Sequence, residues 1–113
     1  MVEGARLDPA SADSVVAQAR TSRAEEYAEI SREAEQFLAH AEREREHREL
    51  TFAELEEIEE DLGKLRRWAE QVHARDHFTA PEATTVAELL GRCEQAVAAF
   101  LEEAYRHTKE MGP

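Results

Sequence analysis

The sequence contains little of what disulfide-linked, loop-rich or membrane-spanning proteins need. Only one of the 113 residues is cysteine, four are glycine and three are proline. A single cysteine, Cys93, excludes an intrachain disulfide, and the scarcity of glycine and proline disfavours loop-rich folds. No run approaches the roughly 18 uninterrupted apolar residues of a membrane span, and the first eight residues do not form a secretion signal. We therefore expect a cytoplasmic protein that does not associate with membranes.

Positive charge is also in short supply. Lysine and arginine number 14 against 26 aspartate and glutamate residues, which gives a formal net charge of −12. Such a chain repels a phosphate backbone, so direct nucleic-acid binding by this chain alone is not expected. A basic protein partner fits the charge better. Charged residues make up 35% of the chain and hydrophobic residues 42%, a balance typical of long amphipathic helices.

Apolar residues recur three and four positions apart in three segments, which indicates three helices. The pattern predicts helices at about 9–47, 52–76 and 80–109, a tail at 1–8 and a single helical bundle over 9–110. Thr21 and Ser22 are cap-type residues that could interrupt the first helix. The predicted buried stripes are Tyr27, Ile30, Ala34, Phe37 and Ala41; Leu55, Ile58, Leu62, Leu65, Ala69 and Val72; and Val86, Leu90, Cys93, Val97, Phe100 and Ala104, with Leu89, Leu101 and Tyr105 broadening the third.

Two capping boxes predict where the later helices begin. Thr51 with Glu54, and Thr79 with Glu82, have the spacing at which side chain and backbone N–H groups satisfy each other reciprocally. The connections between the predicted helices are short, and a short connection makes neighbouring helices antiparallel. We therefore predict an all-α fold, namely an antiparallel three-helix coiled-coil-like bundle with short connections.

Carboxylates and histidines are numerous, but their arrangement does not predict a metal centre. The acidic run 54–61 occupies the first half of the second helix and bases occupy the second half, as the helix dipole favours for a solvated face. The Glu-x-x-His pairs 44–47 and 70–73 lie off the apolar stripes, unlike the inward-facing ligands of di-iron bundles. We expect no catalytic residues, no cofactor and no resident metal ion.

One weak ligand site is suggested at the second corner. His73 and His77 are one helical turn apart, and Arg75 lies between them. Beside the first N–H groups of the third helix, these side chains have the composition of an anion site or a transition-metal site. A helix C-terminus that is simply stabilised by cations explains the same residues.

Several stretches together resemble one known family. The segment from Leu50 to Trp68 reads LTFAELEEIEEDLGKLRRW, and it is followed by RDHF at 75–78 and by Ala-Pro at 80–81. With RAEEYAEI at 23–30, this pattern resembles the helical part of the N-terminal region of ChrB-type chromate-resistance proteins, over roughly residues 20–106. The resemblance implies a transcriptional or sensory role in chromate resistance, and a mixed α/β portion preceding these helices. It leaves open whether this chain is a natural short protein or a fragment.

Two hypotheses about function follow. The first is a non-enzymatic regulatory or interaction module that binds a protein partner or a second copy of itself as a homodimer, through a surface that includes Trp68, Phe78 and Tyr105. The second is a sensor of a chromate-like oxyanion or of a metal ion at His73, Arg75 and His77. Nothing in the sequence specifies the partner, the oligomeric state or the ligand.

Overall fold

Three α-helices dominate the protein. The computed structural model describes residues 9–47 and 51–111. In chain order, α1 spans Pro9–Glu46, α2 spans Phe52–Arg75 and α3 spans Glu82–Met111. These residues contain no strand, and each helix packs against the other two. The prediction of an all-α three-helix bundle is confirmed; the tail predicted at 1–8 lies outside the described residues.

The first helix is continuous. α1 passes through Thr21 and Ser22 without a break, because the Thr21 hydroxyl donates a hydrogen bond to the carbonyl of Ala17, one turn earlier, at 3.0 Å. This intrahelical bond satisfies the side chain that otherwise competes with the backbone. The interruption considered from the sequence is therefore absent.

The second helix begins and ends at capping residues. Thr51 has an extended backbone, and its side chain accepts a hydrogen bond from the N–H of Glu54 at 3.1 Å. This bond satisfies one of the N–H groups that have no intrahelical partner. At the other end, the N–H of Asp76 donates to the carbonyl of His73 at 3.1 Å. The start predicted from the first capping box is confirmed.

The third helix begins later than predicted. It starts at Glu82, not at residue 80, and Thr79 has a φ of 54°, in the left-handed region. An N-cap residue has an extended backbone, so the capping box predicted at Thr79 is wrong. The carboxylate of Asp76 instead accepts hydrogen bonds from the N–H groups of Phe78 and Ala80. The chain wraps around this carboxylate, and Thr79 adopts a backbone conformation that is costly for a β-branched residue.

α1 and α3 lie side by side, with α2 antiparallel to both. Arg66 of α2 pairs with Glu94 of α3 at 2.7 Å, and the thiol of Cys93 contacts the carbonyl of Ala34 in α1 at 3.6 Å. The molecule is a rod with principal extents of 83 × 21 × 17 Å. None of the helices in the described part of the chain is both long enough and apolar enough to span a membrane.

The core runs along the rod as two neighbouring clusters of apolar side chains. Its buried members follow the predicted stripes closely: Ala34, Phe37, Leu55, Ile58, Leu62, Leu65, Leu89, Cys93 and Phe100 in the first cluster, and Tyr27, Ile30, Val72 and Val86 in the second. Half-buried Trp68 packs against both clusters and joins them. Leu101 and Tyr105 do not broaden the buried face of α3 as predicted, because both side chains are exposed.

The single cysteine belongs to this core. Cys93 is fully buried, and burial raises the pKa of its thiol to about 11. The reactive form of cysteine is the thiolate, so a buried thiol with a raised pKa is inert at neutral pH. Cys93 is therefore a packing residue.

Candidate functional site

The most elaborate polar arrangement in the described chain surrounds Asp76, at the corner between α2 and α3. Its Oδ2 accepts hydrogen bonds from the hydroxyl of Tyr27 and from the N–H of Ala80, both at 2.9 Å. Its Oδ1 accepts from the N–H of Phe78 at 3.1 Å. One carboxylate thus fixes the corner and ties it to α1. We name this set of residues, Tyr27, Asp76, Phe78 and Ala80, the Asp76 corner.

Two pKa values reflect this arrangement. Burial of Tyr27, its hydrogen bond to Asp76 and the negative charge of that carboxylate raise the pKa of Tyr27 to about 12. At Asp76, desolvation opposes ionisation, but the hydrogen bonds from Ala80, Tyr27 and Phe78 prevail and hold the pKa of this carboxyl below its ordinary value. The stable state at neutral pH is a carboxylate that accepts a hydrogen bond from a neutral tyrosine.

Arginines from α1 flank the same corner. The guanidinium of Arg20 lies over the ring of Phe78. The distance from Cζ of Arg20 to the ring centre is 5.0 Å, which is within the range of a cation–π contact. Arg23 pairs with Glu26 at 2.7 Å, while its buried Nε has no hydrogen-bond partner in the described part of the chain. A cavity of about 280 Å³ lies between these arginines and the start of α3.

The three residues predicted as an anion or metal site do not converge. Arg75 pairs with Glu26 at 2.6 Å and donates to the carbonyl of Gln71 at 3.3 Å. His73 lines a different cavity, between α2 and α3, and His77 is exposed on the corner itself. Two of the N–H groups at this corner, those of Phe78 and Ala80, already donate to Asp76.

A shallow groove runs beside His73 between α2 and α3, with a volume of about 790 Å³. Its floor is built largely from small and apolar side chains, including Ala69, Ala83 and Leu90. Arg66 and Glu94 lie along its edge and pair with each other. Its volume is within the range of ligand pockets, and its polar lining residues include Glu70, His73 and Thr84.

The three residues predicted as an interaction surface lie at different places on the rod. Trp68 and Phe78 are half-buried, whereas Tyr105 is 63% exposed. Tyr105 is 23 residues beyond the first residue of α3, Glu82, and at 1.5 Å per residue this places it about 35 Å along the rod from the corner. A single small contact patch cannot include both Phe78 and Tyr105.

Residue spacing alone does not bring together the most connected residues of this region, although the family-like stretches RAEEYAEI and RDHF contain Tyr27 and Asp76. Asp76 and Tyr27 are 49 positions apart, and periodicity predicts Tyr27 only as an apolar stripe residue. The same holds at the opposite end of the rod, where Arg45 of α1 binds Glu103 of α3 through two hydrogen bonds. Arg45 lies in a tract whose alternating charges predict a helix end that is solvated on all sides. Only the packing of α1 against α3 brings these partners together.

Comparison with family models identifies the family of this chain. No significant similarity to a curated protein or to a solved structure was found. The family model described as "Protein ChrB, N-terminal" matches residues 1–111. This match is wider than the 20–106 stretch in which the resembling motifs lie, and it includes the Asp76 corner, the groove and both ends of the rod. The chain therefore belongs to the ChrB N-terminal family of chromate-resistance proteins.

Proposed function

We propose that this protein is a non-enzymatic helical module of a chromate-resistance regulator, and that it acts by docking onto another protein. Family membership supports the link to chromate resistance. The observation that carries the docking role is the position of the exposed large apolar side chains, which lie towards the two ends of the rod: Val15, Val16, Phe52, Leu101 and Tyr105.

At one end, the first turns of α1 extend beyond the corner. Glu26 of α1 pairs with Arg75, the last residue of α2, so α1 still has about 17 residues to run beyond this level. Eight of the ten side chains from 11 to 20 are exposed, including Val15 at 51% and Val16 at 40%. A helix of this length gains most of its stability from packing. A partner that covers this segment would supply that packing.

At the other end, α2 begins where α3 ends, because the two helices are antiparallel. Phe52 is 58% exposed, Tyr105 63% and Leu101 44%. Aromatic side chains of this kind supply much of the binding energy of protein interfaces. The surrounding charge specifies the partner further, because a chain with a net charge of −12 attracts a basic surface and repels a second copy of itself. We infer a basic protein partner with an apolar patch.

The test adds negative charge to the end of the rod that carries Leu101 and Tyr105. In cells that carry the gene, the double substitution Leu101→Asp and Tyr105→Asp is expected to abolish chromate-induced transcription, while the purified variant keeps its helical circular dichroism spectrum. The double substitution Gln95→Asp and Ala98→Asp adds the same two negative charges at other exposed positions of α3 and is expected to keep the response. Trp68→Ala is a poorer probe, because Trp68 packs against both core clusters. An unchanged response in the double variant of Leu101 and Tyr105 would refute this role for the surface.

Sedimentation velocity separates a partner from self-association. We expect the purified chain to sediment as a monomer at low salt, where repulsion between acidic rods is strongest. If the chain instead forms a dimer, and the double substitution of Leu101 and Tyr105 dissociates that dimer, the partner of this surface is a second copy of the chain and not a basic protein.

The oxyanion-sensor hypothesis has a separate test. Since Arg75 is paired with Glu26 and the corner N–H groups donate to Asp76, calorimetric titration with chromate or sulfate is expected to show no saturable binding. Saturable binding that Arg75→Gln abolishes would instead establish the sensor.

A further inference from the structure

Three potential metal ligands meet where α1 ends and α2 begins. His40, Glu44 and Glu54 each offer one ligand atom, and these atoms all lie within 4.8 Å of one another. His40 and Glu44 are one helical turn apart on α1, and Glu54 lies in the first turn of α2. All three side chains are half-buried. Two histidines at the same i, i+4 spacing form the helical chelate of zinc proteases.

The electrostatics of this cluster favour a cation. Oε1 of Glu44 is 3.8 Å from Nδ1 of His40, while Oε2 of Glu44 is buried and accepts no hydrogen bond from the described residues. A buried carboxylate oxygen without a donor costs free energy, and a second carboxylate this close adds repulsion.

We propose that His40, Glu44 and Glu54 bind a divalent transition-metal ion that links the end of α1 to the first turn of α2. Imidazole nitrogen together with carboxylate oxygen suits zinc and its neighbours in the first transition row better than calcium or magnesium. Three protein ligands leave a coordination position for water or a small ligand. His40 also lines a cavity of about 400 Å³ between α1 and α2, beside Phe37 and Trp68.

The ligands differ from those that the sequence suggests. Sequence spacing pairs Glu44 with His47, three residues on, and places Glu54 in an acidic run along α2. The structure separates Glu54 from exposed members of that run such as Glu56 and Glu57, because Glu54 is half-buried and its ligand atom faces those of α1. The expectation of no resident metal ion rested on helix faces, which do not show what meets across a helix pair.

The experiment titrates the full chain with Zn²⁺ by calorimetry and with Co²⁺ by absorption spectroscopy. We expect one ion per chain, and visible Co²⁺ bands from a site with nitrogen and oxygen ligands. His40→Ala, Glu44→Gln and Glu54→Gln are each expected to weaken Zn²⁺ binding more than about tenfold, because even the loss of groups that only orient metal ligands costs 10–100-fold.

Two matched controls come from the chain itself. Glu46→Gln removes the same charge from an exposed position of α1, and His73→Ala removes an exposed imidazole from α2; both are expected to bind Zn²⁺ like the wild type. Circular dichroism establishes that each variant is folded, and Glu54→Gln keeps a residue that suits the capping box. Absence of Zn²⁺ and Co²⁺ binding by the wild type would overturn the proposal. So would binding that His73→Ala abolishes and the three ligand variants leave intact.

Discussion

Phe100→Ala is expected to lower the free energy of unfolding by about 3–5 kcal/mol, the range for truncating a large buried aromatic side chain. Phe100 is fully buried, and its cluster contains side chains from all three helices, such as Phe37 of α1 and Ile58 of α2. The loss combines transfer of the ring to water with a cavity that the surrounding side chains fill only in part. The better helix propensity of alanine offsets only about 0.5 kcal/mol.

The neighbouring residue provides the control. Leu101 lies on the same turn of α3 but is 44% exposed, so Leu101→Ala is expected to change the free energy of unfolding by less than about 1 kcal/mol. Urea unfolding followed by circular dichroism measures both variants. For a domain of this size the Phe100 variant should also melt on the order of 15 °C lower. Equal losses for the two variants would contradict the placement of Phe100 inside the core and of Leu101 outside it.

Periodicity predicts most of this core because helix geometry fixes which residues share a face. Every member of the α1 stripe from Tyr27 to Ala41 is buried, as the three- and four-residue spacing requires. Periodicity does not predict which residues at the edges of a stripe are buried. Leu101 and Tyr105 have the same apolar character as Leu89, yet only Leu89 is covered. The angle at which the neighbouring helices approach determines which flank of a stripe is covered. The sequence of one helix does not specify that angle.

Local hydrogen bonding predicts some helix ends and misplaces others for a similar reason. Thr51 caps α2 through a motif that is contained within four residues. Thr79 has the same motif, but Asp76 accepts from the intervening N–H groups and also receives the hydroxyl of Tyr27 from α1. The carboxylate that organises this turn is therefore also bound by a residue 49 positions away. Capping rules do not include such contacts.

The candidate sites were the least predictable part of the chain. His73, Arg75 and His77 are close in sequence, but their side chains lie in different surroundings. His40 and Glu54 are 14 positions apart, and only the packing of α2 beside α1 brings their ligand atoms within 4.8 Å. Polar sites between helices depend on the relative register of the helices. Apolar stripes tolerate small changes of register, so they predict the fold without predicting the sites.

Tyr27→Ala is expected to lower the free energy of unfolding by about 3–5 kcal/mol, because Tyr27 is 1% exposed and of the same size class as phenylalanine. It packs with Ile30, Val72 and Val86 in the second cluster. Tyr27→Phe keeps the ring and removes only the hydroxyl that donates to Asp76 at 2.9 Å. We expect a smaller loss from this variant at neutral pH, and the difference between the two variants separates packing from hydrogen bonding.

The hydroxyl also predicts a pH dependence at both extremes. The pKa of Tyr27 is raised in the folded state to about 12 from an ordinary value of 10.0, so its contribution is complete below pH 10 and is lost as pH rises towards 12. The pKa of Asp76 is lowered in the folded state, so its contribution is complete above the ordinary value of about 4 and is lost as pH falls through the lower folded value.

Urea unfolding of the wild type and of Tyr27→Phe, at acid, neutral and alkaline pH, measures both effects. The difference in unfolding free energy between the two proteins should be largest at neutral pH and should shrink at either extreme, because each titration weakens the bond that the variant lacks. Tyr105→Phe removes a hydroxyl from an exposed tyrosine and should match the wild type throughout. A difference that stays constant across the pH range would show that the hydroxyl of Tyr27 stabilises the fold by some means other than its bond to Asp76. In that case the corner would be held mainly by the backbone N–H groups of Phe78 and Ala80.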